Sequence, residues 1–267
     1  MYMINQMCID RVAFHIGETP VYWYGIIMCA AIVVAIVIAM LLCKKKNLST
    51  ELPLNIALVV VPFGMLGARL FACLFDATLT ISDFFNFRTG GMSIIGAILG
   101  GGLALLVYCL IKKDKKPFIY FDILCSVLIL AQAIGRWGNF FNQELYGNVI
   151  DPSSPFAIFP FAVLVDGVYY QALFFYEFLA NLIGFFLISG LFLKQKNEGY
   201  ATAVYLAFYG LTRTILEPLR QQEYILRLGD IAISRLFSIL MIVAGIILFV
   251  ILIIRDKRRL NYGKKNK

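Results

Sequence analysis

The stretch VYWYGIIMCAAIVVAIVIAMLLCKKK, residues 21–46, decides the fold class of this chain. Its first 23 residues include no charged side chain, and three lysines follow immediately. A helix of roughly 20 apolar residues crosses the hydrocarbon core of a bilayer, and lysine is enriched at the cytoplasmic ends of such spans. The stretch therefore predicts a membrane-spanning helix whose lysine-bearing end lies in the cytoplasm.

The composition of the whole chain extends this prediction. Hydrophobic residues make up 61% of the 267 residues, charged residues 15%, and the mean hydropathy is +0.82. These values are typical of a polytopic membrane protein rather than of a soluble core. We predict an all-α integral membrane fold with a single domain over 1–267. The seven predicted transmembrane helices cover about 21–43, 53–75, 91–111, 118–138, 171–193, 200–217 and 231–254.

The lysines indicate the orientation of these helices. All thirteen lie in four places, namely after the first, third and fifth apolar runs and in the tail after the seventh. Because cytoplasmic loops carry excess lysine and arginine, we predict an outside N-terminus and a cytoplasmic C-terminus. The net charge of +8 is then a topology signal, not a sign of nucleic-acid binding. A basic tail that binds anionic lipid headgroups would also fit.

The sequence lacks the signals that are typical of several other functional classes. The N-terminal MYMINQMCIDRVAFHIGETP has no pattern of a cleaved secretory signal, so the first helix is expected to be a permanent anchor. The six cysteines occur singly and are expected to be apolar packing residues. Only one histidine is present, at His15, where a surface role is favoured. We therefore predict no metal site and no cofactor.

The arginines are distributed differently from the lysines. Eight of the eleven avoid the lysine-bearing segments. Arginine holds phosphate through a planar fork, so this segregation favours a phospholipid headgroup, although pairing with carboxylates that tie helices together is the alternative. Arg69, Arg136 and Arg213 are predicted to lie at membrane depth, where a charge usually marks a substrate path or a buried pair. Glu177 is predicted to lie near the outer end of the fifth helix, at the same level as these arginines.

The stretch GRWGNFFNQELYG, residues 135–147, concentrates polar residues where the fourth apolar run is predicted to end. Arg136 and Asn139 are three apart and share a helix face, and Glu144 adds a carboxylate. Arg213 and Glu217 are four apart, which allows an ion pair on one helix face. Polar residues of four predicted spans thus converge just below the outer surface. The pattern predicts a cavity that faces the outer leaflet and binds an anion.

Glycines cluster in RTGGMSIIGAILGGG, residues 88–102. Gly96 to Gly102 favour close packing of helices. Gly90 and Gly91 lie at the outer mouth of the third predicted helix, where a loop that cradles substrate and a simple turn are both open. The segment between the fourth and fifth helices, which contains DPSSPFAIFPF, is too long for a tight turn and is predicted to form a lid or a small outer element.

These motifs together resemble the prolipoprotein diacylglyceryl transferase family over nearly the whole chain. GRWGNFFNQELYG resembles the family signature, in which an arginine, an asparagine, a glutamate and a glycine occupy the positions of Arg136, Asn139, Glu144 and Gly147. VYWYG, GARLF, RTGGMSIIGAILGG, FFYE and YGLTRTILEPLR resemble further family motifs in the same order.

The resemblance implies an enzyme of the bacterial cytoplasmic membrane. It would transfer the diacylglyceryl group of phosphatidylglycerol to the lipobox cysteine of a prolipoprotein signal peptide and release glycerol phosphate. The implied catalytic residues are Arg136, Arg213 and Glu144, with Glu144 and Glu217 holding arginines in place. The implied substrate-binding residues are Tyr24, Arg69, Gly90, Gly91, Asn139, Asn142, Gly147, Tyr209 and Glu217.

The chain departs from the family pattern at its histidines. Ile95 occupies the position of a family histidine in the third helix, Gln171 that of a second one, and Ser234 with Arg235 replace a late Gly-Gln pair. The general base is therefore unassigned. Either a tyrosine or Glu144 in the phosphate environment suffices for an active transferase, or the chain is a lipid-binding paralogue whose activity is altered or lost.

Overall fold

Seven long helices form the described part of the molecule. The computed structural model describes residues 10–75, 79–86, 91–113, 116–220, 227–228 and 231–265. The helices are α1 (Trp23–Lys45), α2 (Leu52–Phe75), α3 (Ile94–Lys112), α4 (Phe118–Asn142), α5 (Leu173–Lys194), α6 (Tyr200–Leu216) and α7 (Ile233–Lys265).

Six of these helices, all except α6, are long and apolar enough to cross a membrane. α6 has 17 residues, which lies at the lower end of the roughly 17–25 residues of known spans. Large apolar side chains on the outer faces of the helices are exposed, among them Leu58, Leu110 and Ile183. Apolar side chains on an outer surface fit a lipid environment. The chain is a multi-pass membrane protein.

α4 is the central helix. It packs against α1, α5 and α6, while α2 packs mainly on α3 and α7 mainly on α6. In α4, half of the residues in its most apolar stretch are buried inside the protein, compared with a third or less in the other five candidate spans. The main core cluster accordingly includes Ile123, Val127 and Ile129 of α4. Residues on α4 are thus placed to meet side chains from several other helices.

Glycines bring α2 and α3 into backbone contact. A Cβ added to Gly67 would lie 2.5 Å from the carbonyl oxygen of Gly96, and one added to Gly100 would lie 2.6 Å from the carbonyl oxygen of Phe63. This close approach agrees with the packing role that the sequence predicted for the glycines of α3.

The fourth helix extends beyond its predicted end at residue 138. α4 continues to Asn142, so Arg136 and Asn139 lie inside the helix and Asn142 ends it. The helix continues through these polar residues, because their side chains find partners within the protein. Gly138 has no side chain, and this leaves room for the ring of Tyr24 to pack directly over it. α7 is also longer than predicted, since its basic tail stays helical.

In the part of the chain that the structure describes, three two-stranded antiparallel hairpins interrupt the all-α pattern that we predicted. They are β1 (Val12–Ile16) with β2 (Thr19–Tyr22), β3 (Ala162–Val165) with β4 (Val168–Gln171), and β5 (Arg227–Leu228) with β6 (Ile231–Ala232). Each precedes α1, α5 or α7, and we call this side of the bundle the hairpin end. The predicted outer element between α4 and α5 contains β3 and β4. Val21 and Gln171, which were predicted to lie in spans, belong to strands instead.

The opposite side, the lysine end, is held by interhelical caps. Asp122 of α4 accepts hydrogen bonds from the backbone N–H groups of Gly199 (2.6 Å) and Thr202 (2.8 Å) at the start of α6. Lys46, which follows α1, donates to the carbonyl oxygens of Phe192 and Gln195 at the end of α5. Backbone groups that helix ends leave unpaired are thus satisfied by side chains of α4 and of the α1–α2 loop.

Candidate functional site

Glu177 is the centre of a buried ion-pair cluster at the hairpin end. Its side chain is almost fully buried at the start of α5. Its Oε2 atom lies 2.6 Å from Nε of Arg136 on α4. Its Oε1 atom lies 2.6 Å from Nη2 of Arg220 and 3.2 Å from Nη1 of Arg213 on α6. One carboxylate on α5 therefore binds arginines from α4 and from the continuous stretch formed by α6 and the turn after it.

A second carboxylate completes the cluster. Glu217, in the short 3-10 turn after α6, lies 2.9 Å from Nη2 of Arg213 and accepts a hydrogen bond from the hydroxyl of Ser234 on α7. The i, i+4 ion pair predicted from the sequence is therefore confirmed. Three guanidinium groups share two carboxylates, so the cluster carries one net positive charge. Arginine pairing ties the helices together, as the alternative interpretation of these residues predicted.

Among the described residues, Glu144 forms no direct ion pair with an arginine, whereas the family resemblance implied that it holds arginines in place. Its Oε1 atom accepts hydrogen bonds from Nδ2 of Asn139 (2.9 Å) and of Asn142 (3.3 Å). Oδ1 of Asn139 in turn lies 3.5 Å from Nη1 of Arg136, at the long limit of a hydrogen bond. Glu144 therefore contacts the cluster through Asn139, whose amide nitrogen donates to Glu144 and whose amide oxygen faces Arg136.

The backbone after α4 turns Glu144 back toward the helix. Gln143 and Leu145 both have positive φ, 54° and 60°, which is uncommon for residues with a side chain. The backbone N–H of Glu144 donates to the carbonyl oxygen of Asn139 at 3.1 Å. This reversal brings the Glu144 carboxylate to the two asparagine amides.

The surroundings of this turn are fixed by Tyr24, from the VYWYG motif, and by Gly147, from the signature at 135–147. The half-buried Tyr24 of α1 packs on Gly138 and lies within electrostatic range of Arg136 and Glu144. Gly147 donates its N–H to the carbonyl oxygen of Gln171 at 2.9 Å, and an added Cβ would lie 2.8 Å from the Cβ of Gln171. Gly147 therefore lets the chain after the signature pack closely against β4.

Arg69 organises the loop before α3. Its guanidinium is fully buried and donates to the carbonyl oxygens of Asp83 (2.7 Å), Asn86 (2.7 Å) and Gly91 (3.0 Å). Gly91 has a φ of +71°, a conformation that favours glycine. Hydrogen bonds from Thr80 hold the pKa of Asp83 below its ordinary value. Gly90 lies outside the described residues, and substrate binding by Arg69, Gly90 or Gly91 stays a prediction.

A pocket of about 130 Å³ opens beside the cluster, between α3, α6 and the start of α7. Its apolar wall consists of Ile94, Ile95, Ile98 and Phe237. Its polar wall consists of Ser93, Tyr209, Arg213, Glu217, Arg220, Ser234 and Ser238. Such a pocket can accept a ligand with an anionic and an apolar part. Ile95, at the family histidine position, thus lies in the same pocket as Arg213.

Sequence reasoning expected Arg136, Glu177 and Arg213 at one level but did not single out Arg220. Arg220 was one arginine among eight, although its spacing of seven and three from Arg213 and Glu217 indicates a shared helix face. Glu177 was expected at the right depth, but its three partners come from other helices and leave no local pattern. The roles of the predicted site residues in substrate binding and catalysis remain predictions.

The chain is similar to a defined protein family. A family model described as prolipoprotein diacylglyceryl transferase matches residues 11–251. The phosphatidylglycerol–prolipoprotein diacylglyceryl transferase 1 of Clostridium perfringens (strain 13) is 36% identical over 261 residues, which cover 94% of this chain and 97% of that protein.

Two further relatives carry the same name without a number. The enzyme of Clostridium botulinum (strain Langeland) is 34% identical over 255 residues, with 93% of this chain and 99% of the relative covered. The enzyme of Finegoldia magna is 35% identical over 243 residues, with 90% and 94% covered. The similarity extends over nearly the full length of each protein.

Proposed function

Since the chain belongs to the prolipoprotein diacylglyceryl transferase family, we propose that it transfers the diacylglyceryl group of phosphatidylglycerol to a prolipoprotein. The acceptor is the thiol of a lipobox cysteine in the signal peptide. The thiolate sulfur attacks the glycerol carbon that bears the phosphate ester, and the carbon–oxygen bond breaks. Glycerol phosphate leaves with the bonding electron pair, and a thioether remains.

The observation that carries this proposal is the cluster of Arg136, Arg213 and Arg220 around Glu177, beside an amphipathic pocket. Buried guanidinium groups that are fixed before the reaction stabilise charge that develops on a leaving oxygen. The single net positive charge of the cluster balances the single negative charge of a phosphodiester. The carboxylates hold the guanidinium planes in place, since an unpaired buried arginine would be costly.

No histidine is among the residues that line the pocket, so the thiol has to be activated in another way. A free cysteine thiol has a pKa of about 8.5, and nearby positive charge lowers it. Arg213 and Arg220 supply that charge on the polar wall of the pocket. A thiol bound there would therefore be ionised more readily than in water, without an imidazole base.

We further propose that the seven helices all span the bacterial cytoplasmic membrane, with the hairpin end outside and the lysine end in the cytoplasm. The lysine distribution supports this orientation. The ion-pair cluster then lies near the outer leaflet, where a prolipoprotein cysteine and phosphatidylglycerol can both reach it.

A second candidate function is phospholipid binding without transfer. Ile95 and Gln171 favour it, because both stand where the family resemblance has a histidine. A noncatalytic paralogue would keep the arginine cluster and bind phosphatidylglycerol but would leave the prolipoprotein thiol unmodified.

Complementation of a bacterial strain depleted of its own transferase tests both candidates, with lipidation of a tagged prolipoprotein as the readout. The wild-type chain and a variant of the exposed residue Lys257, Lys257→Ala, should both restore lipidation, whereas Arg213→Ala should not. Correct insertion of a wild-type chain that binds phosphatidylglycerol but does not lipidate the precursor would reject the transferase and support the second candidate.

A further inference from the structure

A second layer of polar side chains lies directly beneath the ion-pair cluster. The cluster occupies one level of α4, α5 and α6 through Arg136, Glu177 and Arg213. Four residues farther from the hairpin end, about 6 Å along each helix axis, every one of these helices carries another buried polar residue. They are Gln132 on α4, Asn181 on α5 and Tyr209 on α6.

Each member of this layer holds a polar atom that lacks a hydrogen-bond partner among the described residues. The atoms are Oε1 of Gln132, Oδ1 of Asn181 and the hydroxyl of Tyr209. The three residues are only 8%, 2% and 3% exposed. Native proteins leave few buried polar groups unpaired, so three such atoms at one level of three contacting helices need a common cause.

Known contacts bring the three residues toward one another. The 2.6 Å ion pair between Arg136 and Glu177 fixes the register of α4 and α5 one turn above Gln132 and Asn181. Nε2 of Gln132 contacts the hydroxyl of Tyr205 at 3.0 Å. The rings of Tyr205 and Tyr209 are parallel, with centroids 5.7 Å apart. Exchanging the amide oxygen and nitrogen of Gln132 by rotation would still leave one of these two atoms without a hydrogen-bond partner.

We propose that Gln132, Asn181 and Tyr209 form a binding site for a hydroxyl group. The two amide oxygens are acceptors, and the Tyr209 hydroxyl is a donor. A water molecule can donate to both amide oxygens while it accepts from Tyr209, which matches the three hydrogen bonds of a typical buried water. An alcohol can accept from Tyr209 and donate to one amide oxygen. The chemistry that the site selects is therefore a hydroxyl without charge.

The same hydroxyl chemistry has two possible sources. One is a permanently bound water molecule. The other is the glycerol headgroup of phosphatidylglycerol, and this source rests on the proposed function. Tyr209 lines the pocket that also holds Arg213, so a lipid whose phosphate meets the arginines can direct its headgroup toward Tyr209. The layer would then distinguish phosphatidylglycerol from anionic lipids that lack headgroup hydroxyls.

Thermal unfolding of the purified full chain, without any prolipoprotein, separates the two sources. Phosphatidylglycerol is compared with phosphatidylpropanol, which carries the same single negative charge and no headgroup hydroxyl. If the lipid is the source, the wild type should bind phosphatidylglycerol about tenfold more tightly, the effect of one good hydrogen bond. The preference should disappear in Gln132→Leu and Asn181→Leu.

Ser189→Ala is the matched control, because its buried hydroxyl on α5 is already paired with the carbonyl oxygen of Phe185 at 2.6 Å. It should keep the lipid preference. If the wild type shows no preference, a high-resolution structure should contain an ordered water within hydrogen-bonding distance of all three atoms. Equal binding of both lipids together with an empty site would overturn the proposal.

None of these measurements requires turnover, so an inactive chain would refute the transferase while leaving the hydroxyl site fully testable. If either leucine variant fails to fold, the wild-type lipid comparison and the high-resolution structure still decide the question.

Discussion

At the scale of single residues, the arginines act through geometry as well as charge. Arg213 reaches two different carboxylates with its two terminal nitrogens, at 3.2 Å and 2.9 Å. The sequence made the pair with Glu217 predictable, because the two residues are one helical turn apart. It could not reveal that Glu177 binds Arg213 and Arg220 through the same oxygen, since tertiary packing alone sets that contact.

We predict that Arg213→Lys reduces prolipoprotein lipidation at least tenfold while the protein still inserts. Lysine keeps the charge but has no planar fork to bridge Glu177 and Glu217, and one hydrogen bond to a charged group contributes about 1.5–3 kcal/mol. The exposed Arg235 provides the control, and Arg235→Lys should retain activity. Near wild-type lipidation by Arg213→Lys would show that charge alone suffices.

Ile95 leads to a prediction about pH. Without a histidine base, the transfer rate should rise toward alkaline pH as the substrate thiol ionises, with no inflection near the histidine pKa of about 6.5. Ile95→His should add that inflection and raise the rate at pH 7, because a positioned base contributes about 10²–10⁴-fold. The measurement is the pH profile of transfer to a synthetic lipobox peptide. If Ile95→His is active while the wild type is inactive at every pH, the wild-type chain has lost the transferase activity.

At the scale of helices and strands, the approximate positions of the helices were predictable and their ends were not. Continuous apolar runs located α1 to α7, because each run has the length of a span. The predicted end of α4 was wrong because Arg136 and Asn139 find buried partners and need not leave the helix. The hairpins were missed because strands of two to five residues carry too little alternation to identify from sequence.

The glycine contacts between α2 and α3 give a prediction at this scale. Gly100→Ala should lower the unfolding temperature, because its Cβ would lie 2.6 Å from the carbonyl oxygen of Phe63 and the helices would have to separate. Overpacking of this kind typically costs about 1–3 kcal/mol. Gly102 has open space around it, so Gly102→Ala should be neutral or slightly stabilising. Equal unfolding temperatures for the two variants would contradict the tight contact.

At the scale of the whole molecule, the ion-pair cluster and the lysines lie at opposite ends of the bundle. The arginines of the cluster are buried and paired, whereas the lysines follow α1, α3 and α5 and the tail. The sequence predicted this separation from residue type alone. It could not predict that Glu177 neutralises these arginines, because its contacts with Arg213 and Arg220 join residues more than 30 positions apart along the chain.

The orientation itself can be tested by cysteine labelling. A membrane-impermeant thiol reagent should label Ser154→Cys in intact cells and Lys113→Cys only after permeabilisation, because the two positions lie on opposite sides in the proposed topology. Both variants should be made in a background without the native cysteines. The reverse labelling pattern would place the arginine cluster on the cytoplasmic side.

The caps at the lysine end have a consequence for biosynthesis. Lys46 and Asp122 pair with the helix ends that flank the turn between α5 and α6. Both residues precede that turn in the chain, so the ribosome makes them first. When α5 and α6 are synthesised, the side chains that satisfy the exposed backbone groups at their ends are already part of the chain. The order of synthesis therefore matches the order in which the contacts are needed.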